Sequence, residues 1–188
     1  MRAAPRRPLH VAARGHSTFR DGDARLGDHR NEPFDDLKIN VERFEITTVD
    51  SNDLRLGRER ALELSLRSDL DPDFHLQLGR ALAPLREQGV LIVGSGLSFH
   101  NLRAFGPAGA GDARRFDDWL TETLEAEPGL RAQRLRQWEN APSARRAHPR
   151  EEHLLPLMVA AGAAGSDPGK QVFSDEIMGL AISAYRFG

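Results

Sequence analysis

The spacing of apolar residues changes several times along this chain, and each change predicts an element. Leu62, Leu64 and Leu66 alternate with polar neighbours, as in a strand, although the Arg/Glu run before them could also open a helix. From residue 70 the period becomes helical. Asp71 is a candidate N-cap with Pro72 at the first helical position. Phe74, Leu78, Leu82 and Leu85 then recur on one face until Gly89 stops the helix. An unbroken apolar run follows at once and predicts a short strand over 90–94, covered on both faces and closed by Gly94 and Gly96. Asp112 would cap a helix whose stripe is Phe116, Trp119, Leu120 and Leu124. Leu130, Leu135 and Trp138 suggest another helix, ending before Pro142. Glu151 to Ala161 reads as an apolar helix with Pro156 in its first turn. Residues 106–111 and 162–169 read as loops, and Ile177 to Phe187 as a closing strand.

The first 58 residues are patterned differently. They are rich in Arg, Asp, Asn and His and lack sustained periodicity. Val41 to Val49 admits a short strand, and residues 1–32 read as loop or disorder. The helix–strand step at 72–94 is the repeating unit of a layered sheet. The expected fold class is therefore α/β, a layered sheet with flanking helices.

Composition narrows the chemistry. Of 188 residues, 39% are hydrophobic and 29% charged, dilute for one core, which fits a poorly ordered part. The formal net charge of −2 argues against a nucleic-acid partner held by bulk electrostatics. With no cysteine, thiolate metal sites, disulfides and cysteine nucleophiles are excluded. A metal would have to be held by His, Asp, Glu or backbone oxygen, which favours iron, manganese or zinc. No apolar run approaches the length of a membrane span. The first twenty residues hold five arginines and no acid, which reads as a basic tail. A soluble cytoplasmic protein is expected.

Two histidines stand out. His100 follows the predicted strand, at the sheet end where open α/β folds place their chemistry. A neutral imidazole there can ligate a metal or exchange a proton near neutrality. It can equally pack in a turn, and spacing alone weighs the two readings evenly. Asn101 could orient a substrate oxygen, and Arg103 could pair with a substrate carboxylate. His153 opens an apolar helix behind two acids that would complement the helix dipole. On its own it suits a capping residue slightly better than a ligand. His148 marks a turn but could reach the same pocket. His75 reads as a surface residue. His10 and His16 are a weak metal pair, and His29 lies in the same poorly patterned stretch. Gly94-Ser95-Gly96 is too short for a dinucleotide fingerprint, and Val93 breaks the pattern of a serine nucleophile elbow.

Taken together, several segments resemble one family. They are Asp71-Pro72 through His75, Leu78 through Leu82, Gly89 through Gly96, His100-Asn101-Leu102-Arg103, Phe116 through Trp119, His148-Pro149, Glu152 through Leu157, and Ser183 through Gly188. From about Leu64 onward the chain is similar to the C-terminal half of LigB-type class III extradiol ring-cleavage dioxygenases, in the DOPA 4,5-dioxygenase-like branch. The resemblance implies a non-haem Fe(II), or Zn(II) as the bound ion, a catechol-type substrate and O2. It implies His100 as acid/base or metal ligand and His153 as metal ligand. It also implies an incomplete LigB-like domain, because residues 1–58 lack the His-Gly-Ser-Pro loop and Ser-x-His strand end of that family. On this view residues 1–58 are an atypical, partly disordered segment and 59–188 the C-terminal part of the catalytic domain, with the strand at 90–94 stripped of its neighbours. Two other functions stay open: an inactive truncated remnant that binds or packs, and a metal-dependent hydrolase. Oligomeric state is not indicated.

Overall fold

A computed structural model describes residues 9–14, 46–49 and 60–188 of the chain, with side chains from residue 64 onward. Four strands form one sheet: β1 (Leu9–Arg14), β2 (Ile46–Val49), β3 (Arg60–Ser65) and β4 (Leu91–Ser95). Their spatial order is β2-β3-β1-β4. β1 lies parallel to both β3 and β4, whereas β2 runs antiparallel to β3. A chain leaving β3 must therefore cross over β1 to reach β4, and α1 (Pro72–Glu87) makes that crossover.

Helix α1 forms as its sequence dictates. Asp71 accepts a hydrogen bond from the Asp73 amide at 3.0 Å, Pro72 begins the first turn, and Gly89, at φ +80°, turns the chain into β4. Leu78, Leu82 and Leu85 are buried as their period requires. Phe74 is half-buried beneath the Arg67 guanidinium, 3.6 Å from the ring centre. The remaining helices are α2 (Ala110–Glu125), α3 (Pro128–Arg136), the single turn α4 (Ala144–Ala147) and α5 (Leu155–Ala163). Helix α5 packs along α1 at the closest approach backbones permit. A Cβ added at Gly79 would lie 2.1 Å from the Val159 carbonyl oxygen, and one added at Gly162 would lie 2.2 Å from that of Leu76. The core gathers Leu76, Phe99, Phe116, Leu120, Leu124, Leu135, Trp138, Leu154, Leu155 and Met158.

Several expectations are corrected. Leu9–Arg14, in a segment read as loop or disorder, forms a strand, and an interior one. β4 keeps a neighbour along one edge, since β1 pairs with it from His10–Leu91 to Arg14–Ser95. It is nevertheless not covered on both faces: Leu91 is 54% exposed and Val93 38%. β4 stands at the end of the sheet order, and apolar run-length does not distinguish that position from a central one. Asp112 lies within the first turn of α2 instead of capping it, and accepts from Arg115 at 2.7 Å and Ser143 at 2.8 Å. The 106–111 loop tightens into a 3-10 turn at Pro107–Gly109 before α2 begins. Trp138 sits in a 3-10 turn beyond α3, and the chain 151–154 is a turn leading into α5.

The closing strand is one arm of a hairpin. β5 (Gly169–Ile177) pairs antiparallel with β6 (Leu180–Phe187), and Met178 and Gly179 turn the chain with φ of +55° and +82°. Two positive φ angles match the turn type that suits the twist of a tight hairpin. β5 carries Lys170, Gln171, Ser174, Asp175 and Glu176, and most of it is exposed. A strand with so little apolar alternation leaves a weak sequence signal.

Candidate functional site

The site forms where the loop after β4 meets the turn before α5. That meeting depends on Gly94, near the end of β4, and Gly96, just beyond it. A Cβ at Gly94 would sit 2.3 Å from the Pro156 carbonyl oxygen, and one at Gly96 would sit 2.1 Å from that of His153. Only glycine lets the two backbones touch here. The contact is then hydrogen-bonded, with the Leu97 amide donating to the His153 carbonyl at 3.1 Å. Three residues on, the His100 amide donates to the Ala147 carbonyl at 2.9 Å. Both histidines are thus fixed through their own backbones.

Their rings meet. The His100 and His153 centroids lie 3.5 Å apart with planes inclined by 34°. Glu152 joins them: one nitrogen from each imidazole and one carboxylate oxygen all lie within 4.8 Å of one another. All three residues are partly accessible. The Glu152 Oε2 atom is buried and accepts no hydrogen bond. Arg150 places its Nε 3.6 Å from that oxygen, an ion pair by distance but too long for a hydrogen bond. Two imidazoles and a carboxylate with an unmet acceptor suit a divalent first-row cation.

His148 lies near the pair. It is fully buried, its ring edge-on to Phe116 and Trp138. Its Nε2 donates to the Ser98 carbonyl at 3.1 Å, which leaves Nδ1 as a buried acceptor with no hydrogen-bond partner. Burial pushes its pKa down to about 4, and the nearby His100 and His153 act in the same direction. His148 therefore serves as a neutral support for the loop that carries His100.

Of the other candidates, Asn101 is committed to the backbone. Its Oδ1 accepts from the Arg103 amide at 3.1 Å and its Nδ2 donates to the Arg146 carbonyl at 2.8 Å. Asn101 shapes the 3-10 turn Leu102–Ala104, on which Arg103 is exposed. His75 is buried, donating from Nδ1 to the Asp71 carbonyl at 2.7 Å and accepting at Nε2 from the Arg67 amide at 3.3 Å. It belongs to the start of α1. His16 and His29 lie outside the described residues. His10 stands on β1 opposite Leu91. Glu152 is the residue that sequence reasoning passed over, because an acid ahead of a helix has a sufficient explanation in the dipole.

Beside the cluster, a cavity of about 690 Å3 opens between β4 and β6. His153 stands in its wall together with Leu91, Val93, Leu97, Ser98 and Leu157. Ser98 also ties the two sides together by accepting from the Ser183 amide at 3.1 Å. Ser183 in turn donates to the buried Asp117 at 2.8 Å.

Residues 58–187 match the family described as the catalytic LigB subunit of aromatic ring-opening dioxygenase, and the chain belongs to that family. It is 36% identical over 143 residues to a dioxygenase, tasH, of Hapsidospora irregularis, covering 68% of this chain and 43% of that protein. It is 37% identical over 130 residues to a 4,5-DOPA dioxygenase extradiol of Beta vulgaris, covering 66% of this chain and 48% of the relative. The chain thus spans less than half the length of either relative. A crystal structure of an uncharacterized protein from Escherichia coli K12 shares the fold, with a TM-score of 0.72 and 20% identity over 96% of this chain and 86% of that one.

Proposed function

We propose that this chain carries a metal-dependent extradiol dioxygenase site, which opens the ring of a catecholic substrate beside its two hydroxyls using O2. The observation that carries the reading is the close, tilted contact of the His100 and His153 rings in a member of the LigB family. Relatives named 4,5-DOPA dioxygenase extradiol make a catechol the natural substrate class. His100 and His153 would hold the metal, iron(II) for turnover. When bound, the metal supplies a Lewis acid that lowers the proton affinity of both catechol oxygens.

The chain's own residues do the rest. A catechol must shed a proton, and an imidazole near neutrality is the ordinary acceptor. Where His153 holds the metal and His100 does not itself ligate it, His100 suits that task, because its backbone is anchored to Ala147 while its ring stays partly open to solvent. The apolar walls of the adjoining cavity receive the aromatic ring. Its volume, about 690 Å3, falls within the range of small-molecule sites, roughly 300–1,000 Å3. Arg103, exposed three residues beyond His100, offers a planar fork to a substrate carboxylate.

The test is oxygen uptake with L-DOPA and simple catechols after anaerobic loading with iron(II). A yellow ring-opened product forming with oxygen consumption is expected. His153→Ala should lose both bound metal and product. A zinc(II)-loaded sample should stay inactive, since zinc has no redox chemistry. Iron-loaded protein that consumes no oxygen with any catechol would reject the reading.

A further inference from the structure

We propose that Asp117 is a positioning residue for the site: through the Ser98 and Ser183 hydroxyls it sets the loop that carries His100 against the β5–β6 hairpin. The effect on turnover rests on the ring-opening reading above. The coupling to His100 does not, and it can be read in the metal-free chain.

The observations start at the carboxylate. Asp117 lies on α2 and is 3% exposed. Its Oδ2 accepts from the Ser183 hydroxyl at 2.8 Å. Its Oδ1 is buried with no hydrogen-bond partner. A carboxylate so enclosed costs stability unless donors meet it. Burial raises its pKa, and the Ser183 and Ser98 hydroxyls act against that rise.

The surrounding donors are arranged to end there. Ser183 Oγ accepts from Gln171 Nε2 at 2.9 Å, which turns its own proton to Asp117. Ser98 Oγ accepts from the Ser183 amide at 3.1 Å, so its proton too is left to find an acceptor. Asp117 has an oxygen to spare for it. Two hydroxyls are met at once by a group that accepts at both of its oxygens, which is a carboxylate.

What Ser98 holds is the approach to His100. Its carbonyl accepts from His148 Nε2 at 3.1 Å. The Leu97 and His100 amides donate to the His153 and Ala147 carbonyls at 3.1 and 2.9 Å. These bonds tie the loop to residues 147–153, and the Ser98 side chain ties it to β6. Ser98 and Ser183 also stand in the wall of the cavity beside His153, at the edge of the site. A small displacement of a reacting group costs rate even where binding survives.

The test uses the full chain. Asp117→Asn keeps an acceptor for Ser183 and puts a donor where the second oxygen stood. Without the buried charge it should fold at pH 7 at least as well as the unaltered chain. The His100 ring resonances, recorded in metal-free, histidine-labelled protein, are expected to move in Asp117→Asn and in Ser98→Ala. With iron(II) and a catechol, kcat should fall roughly tenfold in either variant while KM changes by less than about twofold. Because Asp117 acts through Ser98, the double variant should lose no more than the worse single one, whereas independent effects would multiply to roughly a hundredfold. Gly79→Ala, which strains the contact of α1 with α5, should leave the His100 resonances and the kcat of folded protein unchanged. Unmoved His100 resonances, the same movement in Gly79→Ala, a change in KM at constant kcat, or multiplying losses would overturn the assignment. Ser98→Ala decides it if Asp117→Asn does not fold. An unaltered chain that opens no catechol rejects the reaction and leaves the positioning to be judged by the resonances. Ring opening with resonances and kcat indifferent to Asp117 does the reverse.

Discussion

At the scale of single residues, three buried titratable groups set how the fold responds to pH. Burial pushes His148 down to about 4 and holds His75 below the ordinary imidazole range. In the folded chain each therefore takes up a proton only at a pH below that of an unfolded imidazole, which titrates near ~6.5. Between about pH 6.5 and 4 the unfolded state therefore binds more protons, and stability falls as pH falls through that window, by about 3 kcal/mol for His148 alone. Urea unfolding of the metal-free chain at pH 7 and pH 4.5 measures this. His148→Gln should flatten the slope, and an unaltered slope would place the titration elsewhere. Asp117 works in the opposite sense. Burial lifts its carboxyl above the usual range, so it favours the fold at low pH and opposes it once pH rises past its folded value. Asp117→Asn keeps an acceptor for Ser183 and removes the charge. Its melting temperature should rise at pH 7 and gain nothing at pH 3.5.

The elements show what a sequence discloses and what it hides. Helix α1 and the Phe116, Leu120 and Leu124 stripe of α2 were legible, because caps and period are local properties. His100 and His153 were visible as candidates, since each stands beside a recognisable element. Their contact was not, because it is made by β4 and α5 meeting at two glycines. Gly94 and Gly96 looked like a turn closing the strand. Their actual task is to let a carbonyl approach where a methyl group would stand. Glu152 was hidden by an adequate local explanation, and His75 by its place in a polar first turn. Gly96→Ala tests the point. The added Cβ must displace the His153 carbonyl, so the variant should lose metal affinity while near-UV circular dichroism reports a folded core. Gly79→Ala, which forces α1 away from Val159 at a distance from the site, should instead lower the melting temperature with metal affinity per folded molecule unchanged.

For the molecule as a whole, the sheet ties the poorly patterned N-terminal segment to the well-patterned remainder. β1 precedes residue 58, yet it pairs with β3 on one side and β4 on the other. A chain lacking residues 1–57 keeps every proposed metal donor but loses the strand between those two partners. It should still bind cobalt(II) weakly, and light scattering should show it self-associating through the bared edges. A monomeric, fully stable product would mean that β1 contributes little. The described residues contain no helix long and apolar enough to cross a membrane. The strand that holds β3 and β4 together also leaves the ribosome ahead of both, and its partners are synthesised long after it. Until β4 emerges, β1 can be secured on one side at most, so closure of the sheet waits on distant contacts and should be slow. During synthesis β1 is the strand with most need of a chaperone.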